Sequence, residues 1–332
     1  MTIANDGIES MHKTFTFETL KAATTPTFYF IGVTTSSSSI RDVFPRWARA
    51  LNLGVVELVG IDLPLHAPAS HYRAVVSFLK GDPFSLGALV TTHKIDLFAA
   101  AEDLFDEIDP LARLMAEVSC LSKRGGLFRA HAKDPISSGH ALDAFLPPGY
   151  FQAEPTDVVI FGAGGSAIAI DWYLSQPSRG ADRPVRITVT NRSPSRLDTL
   201  AVIHEISDSG VPLQTVVAPN PEDNDRVLAS ARKRSVVINA TGLGKDAPGS
   251  PLSVAVAFPE EAVVWDLNYR GELVFLDQAR LAAVERGLRI EDGWTYFLHG
   301  WTQVIAEVFN IPIPQSGPKF DELAELALPT AR

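Results

Sequence analysis

Residues 158–174 read VVIFGAGGSAIAIDWYL, and no other stretch narrows the fold as far. An unbroken apolar run enters Gly162-Ala163-Gly164-Gly165-Ser166-Ala167, and an apolar segment follows directly. A short apolar run closed by glycine reads as a strand buried on both faces. Strand, glycine turn and helix with G-x-G-x-x-A spacing form a dinucleotide-binding fingerprint. Gly162 allows the tight turn, Gly164 lets backbone N–H groups approach a pyrophosphate, and Ala167 lets the helix pack closely on the strand. The helix start then offers free N–H groups and the positive end of its dipole to phosphate charge. The competing reading is a purely structural glycine turn in an α/β domain.

The rest of the chain has the rhythm such a unit needs. Apolar runs and helical patterns alternate, which indicates α/β architecture with parallel sheets and crossover helices. Strands are expected at TFYFIGV (27–33), VVELVGIDL (55–63) and LGALVTT (86–92), with helices through about Leu53, over 70–79 and over 94–116. EVSCLSKRGGLFRAHAK (117–133) reads as a hairpin turning at Gly125-Gly126. The Pro- and Gly-rich LPPGYFQAEPTD (146–157) breaks the pattern and divides the chain. Residues 1–150 then form an N-terminal substrate domain with 300–332 packing back on it, and 151–299 form a Rossmann domain with a doubly wound parallel sheet. The last long helix is expected from Trp294 to Phe309. Residues 1–10 read as a loose extension, with Met11 as an alternative start.

Composition restricts the partners. A net charge of −10 argues against nucleic acid, because phosphate-backbone binding needs clustered Lys and Arg. Arg232-Lys233-Arg234 is too short for such a footprint and reads as a solvated helix end. No run approaches the roughly 18 apolar residues that span a bilayer, and the start lacks the basic and apolar parts of a signal peptide. The single cysteine, Cys120, excludes an internal disulfide framework and fits the cytoplasm; it reads as a buried small hydrophobe rather than a nucleophile. His93, His131 and His299 lack metal-ligand spacing, and no metal is expected. The partner class that remains is a small molecule, for a monomer or homodimer.

The second strand of the Rossmann unit, RITVTNRS, ends in Asn191-Arg192-Ser193. NAD sites usually carry Asp or Glu here to bind the ribose 2′-OH. This chain has none, and Arg192 and Arg196 offer planar forks suited to a 2′-phosphate. NADP is therefore the expected cofactor. The alternative is a pair of surface arginines on a loop.

With these residues in place, the chain resembles the shikimate/quinate dehydrogenase family from about residue 27 to 312. GAGGSA, NRS, INATGLG and DLNY resemble its glycine loop, NADP loop, INATP-type strand end and D-x-x-Y segment. His93-Lys94 resembles the end of its VTxPxK motif, Asp134 the aspartate of NTDxxG with Gly139 near the trailing glycine, and Ser37 and Ser39 its S-x-S motif. The resemblance implies an N-terminal catalytic domain facing the Rossmann domain across a cleft, Lys94 and Asp134 as the proton-handling pair, and Ser37, Ser39, Ser119, Tyr269 and Gln303 against the substrate. It also implies that Gly162, Ala163, Gly164, Gly165, Ser166, Ala167, Asn191, Arg192, Ser193, Arg196, Asn239 and Thr241 hold NADP. The departures are specific. VTTHK lacks the proline, Ser119-Cys120 stands for Asn-Thr, Ala132-Lys133 stands for the Asn-Thr before the aspartate, and Gly300 falls at the glutamine of GxxMLxxQA. The pocket thus lacks three side-chain amides, and Gln303 lies one turn beyond the last.

Each candidate has a plainer reading. Lys94 can donate a proton to a forming alkoxide or accept one in the reverse direction, or it can be a solvated residue at a helix start. Asp134 can orient that ammonium, or it can cap a helix before Pro135. Ser37 and Ser39 can hold a substrate carboxylate near a helix N-terminus, or be loop and N-cap. Tyr269 can line the cleft or simply pack. The expected function is hydride transfer between NADP and a hydroxyl or keto group of a small, cyclic hydroxy-carboxylic acid. The alternative is a non-catalytic dinucleotide sensor on the same fold.

Overall fold

The computed structural model describes residues 13–207, 210–245 and 247–328. The expected extension over residues 1–10 and the start at Met11 lie outside them. Strands β1 (Thr14–Thr16), β2 (Thr27–Gly32), β3 (Glu57–Asp62), β4 (Ser85–Val90), β5 (Glu107–Ile108), β6 (Cys120–Arg124) and β7 (Leu127–His131) form one sheet, ordered β1-β3-β2-β4-β6-β7-β5. Helices α1 (Ile40–Ala50), α2 (Ala69–Gly81), α3 (Lys94–Ala101), α4 (Pro110–Met115) and α5 (Asp134–Phe145) accompany it. β2 pairs in parallel with both neighbours and is buried at all six positions. Its near-continuous apolar run TFYFIG follows from having both faces covered. β6 departs from the parallel rhythm because the Gly125-Gly126 turn returns the chain at once. These glycines have φ of 62° and 77°, a region a side chain would strain.

After α6 (Tyr150–Ala153) come β8 (Asp157–Phe161), α7 (Gly165–Ser175), β9 (Arg186–Asn191), α8 (Pro194–Ile206), β10 (Leu213–Val217) and α9 (Pro221–Ala229). β11 (Val236–Asn239), β12 (Val263–Asp266), α10 (Val274–Arg286) and β13 (Arg289–Glu291) complete this second sheet. Its order β10-β9-β8-β11-β12-β13 is parallel throughout. Counted from β8, this is the doubly wound order 3-2-1-4-5-6, whose chain reversal lies between the first and fourth strands.

α11 (Trp294–Phe309) and α12 (Pro318–Ala327) then return to the first sheet. Trp301 sets its ring edge against Phe30 with centroids 5.1 Å apart, and Phe309 packs on Phe28 and Phe44. Trp47 Nε1 donates to Leu323 O at 2.7 Å, which fastens α12 to α1. Lys133 Nζ reaches Glu307 Oε2 at 2.7 Å and ties the start of α5 to α11. α5 also lies on α7 of the second sheet. A Cβ at Gly139 would enter the Tyr173 ring, so the absence of a side chain at Gly139 is what lets these helices approach.

The expected continuous helix over 94–116 is wrong. The segment holds α3, a 3₁₀ turn at Glu102–Leu104, β5 and α4. Asp109 accepts from Ala112 N at 2.8 Å and Pro110 occupies the first turn of α4, so a fresh helix starts there. Apolar spacing carries through the break because both helices bury a face against the same core.

Candidate active site

Two clefts border successive residues of the glycine turn. The first, of about 320 Å³, draws its walls from α3, β4, the α4–β6 connection, α5, the start of α7 and α11. The second, of about 370 Å³, runs along the glycine turn and the carboxyl ends of β9 and β11.

In the first cleft the Lys94 ammonium pairs directly with Asp134 Oδ2. The side chains are 19% and 8% exposed, so the pair is largely withdrawn from water. Burial alone would lower the Lys94 pKa, but the charges of Asp134 and Glu117 and the Asp134 hydrogen bond outweigh it and hold the ammonium above its ordinary value. Asp134 therefore does not cap α5: Lys133 holds the cap position, and no side chain bonds the helix end. The turn from β4 into α3 delivers Lys94, since Lys94 N bonds Thr91 O at 3.2 Å while Thr91 N bonds Ile31 O at 3.0 Å.

Two further side chains join the pair. The Tyr296 hydroxyl donates to Asp134 Oδ2 at 3.1 Å and lies 3.2 Å from Ser166 Oγ. Burial, then the Asp134 charge, raise the Tyr296 pKa well above its usual value. The phenol stays protonated and links the α7 start to the Lys–Asp pair. Glu117 is 2% exposed. Ala116, at φ +48°, ends α4 and turns the chain there. Among the described residues neither Glu117 oxygen has a hydrogen-bond partner. Desolvation, then the charge of Asp134, push this carboxyl up to about 8, against the opposing pull of Lys94.

The sequence singled out neither residue. Tyr296 lies four residues before Gly300, in the segment DGWTYFLHGW (292–301). Glu117 opens EVSCL, an acid leading into a buried strand. An ionisable residue against so apolar a run is the signal that was present.

Ser119 and Tyr269 line the first cleft. Ser119 Oγ accepts from Lys133 N at 2.7 Å, and Tyr269 packs on Trp294 and Phe297. Ser37 and Ser39 lie outside the lining. Ser37 Oγ donates to Thr34 O at 3.2 Å, while Ser39 stands at the cap position of α1 and interacts with Tyr269. Gln303 is half-buried and also outside the lining, whereas Gly300 is part of it.

Gly162, Ala163, Gly164, Asn191, Arg192 and Thr241 line the second cleft. Gly165 and Ser166 face the first, and Ala167 is fully buried beneath the turn. Ser193 accepts from Asn191 Nδ2, and Arg196 sits on the first turn of α8 outside the lining. Asn239 is fully buried: it donates to Asp266 and accepts from Thr241 N and Oγ1, so it shapes the strand end rather than facing the cleft.

The donors present suit a dinucleotide. Gly162 has φ +97°, and a Cβ there would come within 2.8 Å of Ala240 O. A Cβ at Gly164 would meet nothing within 4 Å, so open space lies beside the turn, and no side chain caps the N-terminus of α7. Among the described residues lining this cleft none is Asp or Glu, and Arg192 is the one cation.

The chain is similar to proteins of known activity and structure. The chain is 28% identical over 308 residues to the shikimate dehydrogenase (NADP(+)) of Methylocella silvestris, spanning 91% of the chain and 97% of the relative. The corresponding protein of Methanothrix thermoacetophila is 33% identical over 179 residues, and the match spans 58% of its length. The quinate dehydrogenase of Corynebacterium glutamicum, solved with NAD, superposes with TM-score 0.68 at 21% identity, covering 92% of this chain and 99% of that one. The chain is thus similar along nearly its whole length to a shikimate dehydrogenase and has the fold of a quinate dehydrogenase. Shikimate 5-dehydrogenase of Thermus thermophilus, solved with NADP(H) and shikimate, superposes with TM-score 0.64 at 22% identity over 91% of this chain and 99% of that one. No family model matches the chain.

Proposed function

We propose that this divergent shikimate dehydrogenase-like chain is an NADP(H)-dependent oxidoreductase. Its substrate is a small, cyclic hydroxy-carboxylic acid, oxidised at a hydroxyl or reduced at the corresponding ketone. The observation that carries this reading is the buried Lys94–Asp134 pair facing a cleft of about 320 Å³ beside the glycine turn. A sensor has no need of such a pair, which is why the enzyme reading is preferred.

NADP would lie along the second cleft, with the glycine turn and α7 start at its pyrophosphate and Arg192 at its 2′-phosphate; when bound, it supplies or accepts the hydride. The protein's own part is the proton. Lys94 Nζ donates to the oxygen of the forming alkoxide during reduction and accepts from the hydroxyl during oxidation. Asp134 holds the ammonium charged and aimed, and Tyr296 holds Asp134. Residues 1–150 with 300–332 would serve as the substrate unit and 151–299 as the NADP unit, in a cytoplasmic monomer or homodimer.

Shikimate itself is expected to be a poor substrate. Ser119 Oγ accepts from Lys133 N and offers one hydroxyl in place of an amide, Lys133 turns to Glu307, and Gly300 has no side chain. Each hydroxyl of a bound acid left without a partner costs about 1–3 kcal/mol. The test is a spectrophotometric screen of shikimate, quinate and less hydroxylated cyclic acids for NADPH formation. Reduction of NADP+ by at least one acid, abolished by Lys94→Ala, is the expected result. Tight NADP binding without turnover of any acid would favour the sensor instead.

A further inference from the structure

Glu117 is the buried carboxyl in the first cleft that the mechanism above leaves without a task. It arrives from the α4–β6 connection and stops against the start of α7, where a Cβ on Gly165 would strike its Oε2. Around it stand Lys94 from α3, Asp134 from α5 and Tyr296 from α11, and Lys245 lines the same cleft. Lys94 and Asp134 already neutralise one another. An ionised Glu117 would therefore add an unmatched negative charge inside a dry wall, with neither oxygen bonded. Burial of a carboxylate without partners strongly favours its neutral form.

We propose that Glu117 enters the site as a neutral carboxylic acid and donates its O–H to a second substrate oxygen, beside the one whose proton Lys94 handles. This deepens the oxidoreductase reading and rests on it for the identity of the ligand. A protonated carboxyl offers one donor and an acceptor at the same place, and here both face a cleft that a ligand can fill. The preferred substrate carries at least two neighbouring oxygens. Ionisation of Glu117 removes the donor and turns the cleft against an anionic acid. The inflection falls at about 8, well below Lys94, which is held above its ordinary 10.5.

The experiment has two arms. In the first, infrared difference spectra of the unliganded protein are followed from acid to alkaline pH. A protonated-carboxyl C=O band should vanish with a midpoint near 8 in the wild type, and this transition should be missing in Glu117→Gln. In the second, kcat/KM is measured against pH with the best acid of the screen. Glu117→Gln, which keeps volume and donor but cannot ionise, should lose the alkaline fall; Glu117→Ala should lose about 10–100-fold at neutral pH. No titrating band, or an unchanged alkaline limb in Glu117→Gln, overturns the proposal, as does wild-type kcat/KM in Glu117→Ala. A band that titrates as expected in a protein that turns over no acid supports the neutral carboxyl and overturns the oxidoreductase reading instead.

Discussion

Replacing Lys94 by Ala tests the proposed chemistry and the fold together, because Lys94 belongs to a largely buried ion pair. Its partner Asp134 is 8% exposed at the side chain. Deleting one member of a buried ion pair typically costs about 3–5 kcal/mol, since the other charge is stranded. Here the loss is softened, because Tyr296 still donates to Asp134 Oδ2 at 3.1 Å, and a hydrogen bond to a charged group contributes about 1.5–3 kcal/mol. The unfolding free energy of Lys94→Ala should therefore fall by about 2–4 kcal/mol. In the double variant Lys94→Ala/Asp134→Asn no charge is stranded, and stability should recover in part. Turnover should fall about 10²–10⁴-fold in either variant, the usual contribution of a proton-transferring group. NADP affinity should change little, because the second cleft is lined by neither residue. Urea unfolding followed by circular dichroism gives the first quantity, NADPH absorbance the second and fluorescence titration the third. A double variant less stable than Lys94→Ala, or a Lys94→Ala protein with wild-type turnover, would refute the reasoning.

Three other outcomes follow from the same geometry. Arg192→Ala should erase most of a preference of about 1–3 kcal/mol for NADPH over NADH, read as dissociation constants, because Arg192 is the one cation among the described residues lining the second cleft. Equal wild-type constants for the two cofactors would contradict the assignment. Asp266 is raised by burial from its ordinary 3.8 to about 7. A raised acid stabilises the fold fully below its unfolded pKa and loses that contribution as pH climbs through the folded one, so stability should decline by up to a few kcal/mol between about pH 4 and 7. Asp266→Asn should flatten that decline in urea titrations, and an identical pH profile would count against it. At Gly300, inside α11, a Cβ would meet nothing within 4 Å. Gly300→Gln should raise stability by about 0.5–1 kcal/mol through helix propensity and improve shikimate turnover by returning an amide to the cleft. Unchanged selectivity would mean that the side chain at 300 does not reach the substrate.

Much of the fold was legible from residue patterns that act locally. VVIFGAGGSA specified its own strand, turn and helix, and the Gly125-Gly126 pair specified a hairpin, because glycine conformation and apolar periodicity are settled over a few residues. The missing acid after β9 was equally readable, and Arg192 does line the second cleft. The break in 94–116 was written in Asp109-Pro110, yet continuous apolar spacing outweighed it. Asp134 shows the limit of local rules. Asp before Pro is a sound helix cap, but a carboxylate gains more from a buried ammonium contributed 40 residues earlier.

What only the tertiary structure decided is which distant side chains share one water-poor space. Tyr296 meets Asp134 across 162 residues, and Glu117 meets the start of α7, where a Cβ on Gly165 would strike its Oε2. Ser37 and Ser39 carry the residue types of a carboxylate site; the first donates to Thr34 O, and the second interacts with Tyr269 of the first cleft, a contact no local rule foretells. Sequence alone determined the elements and the chemistry available to them. The packing of two sheets through α5, α7 and α11 determined which of those groups lost their water, and desolvation sets both the charge a group carries and the partner it must find.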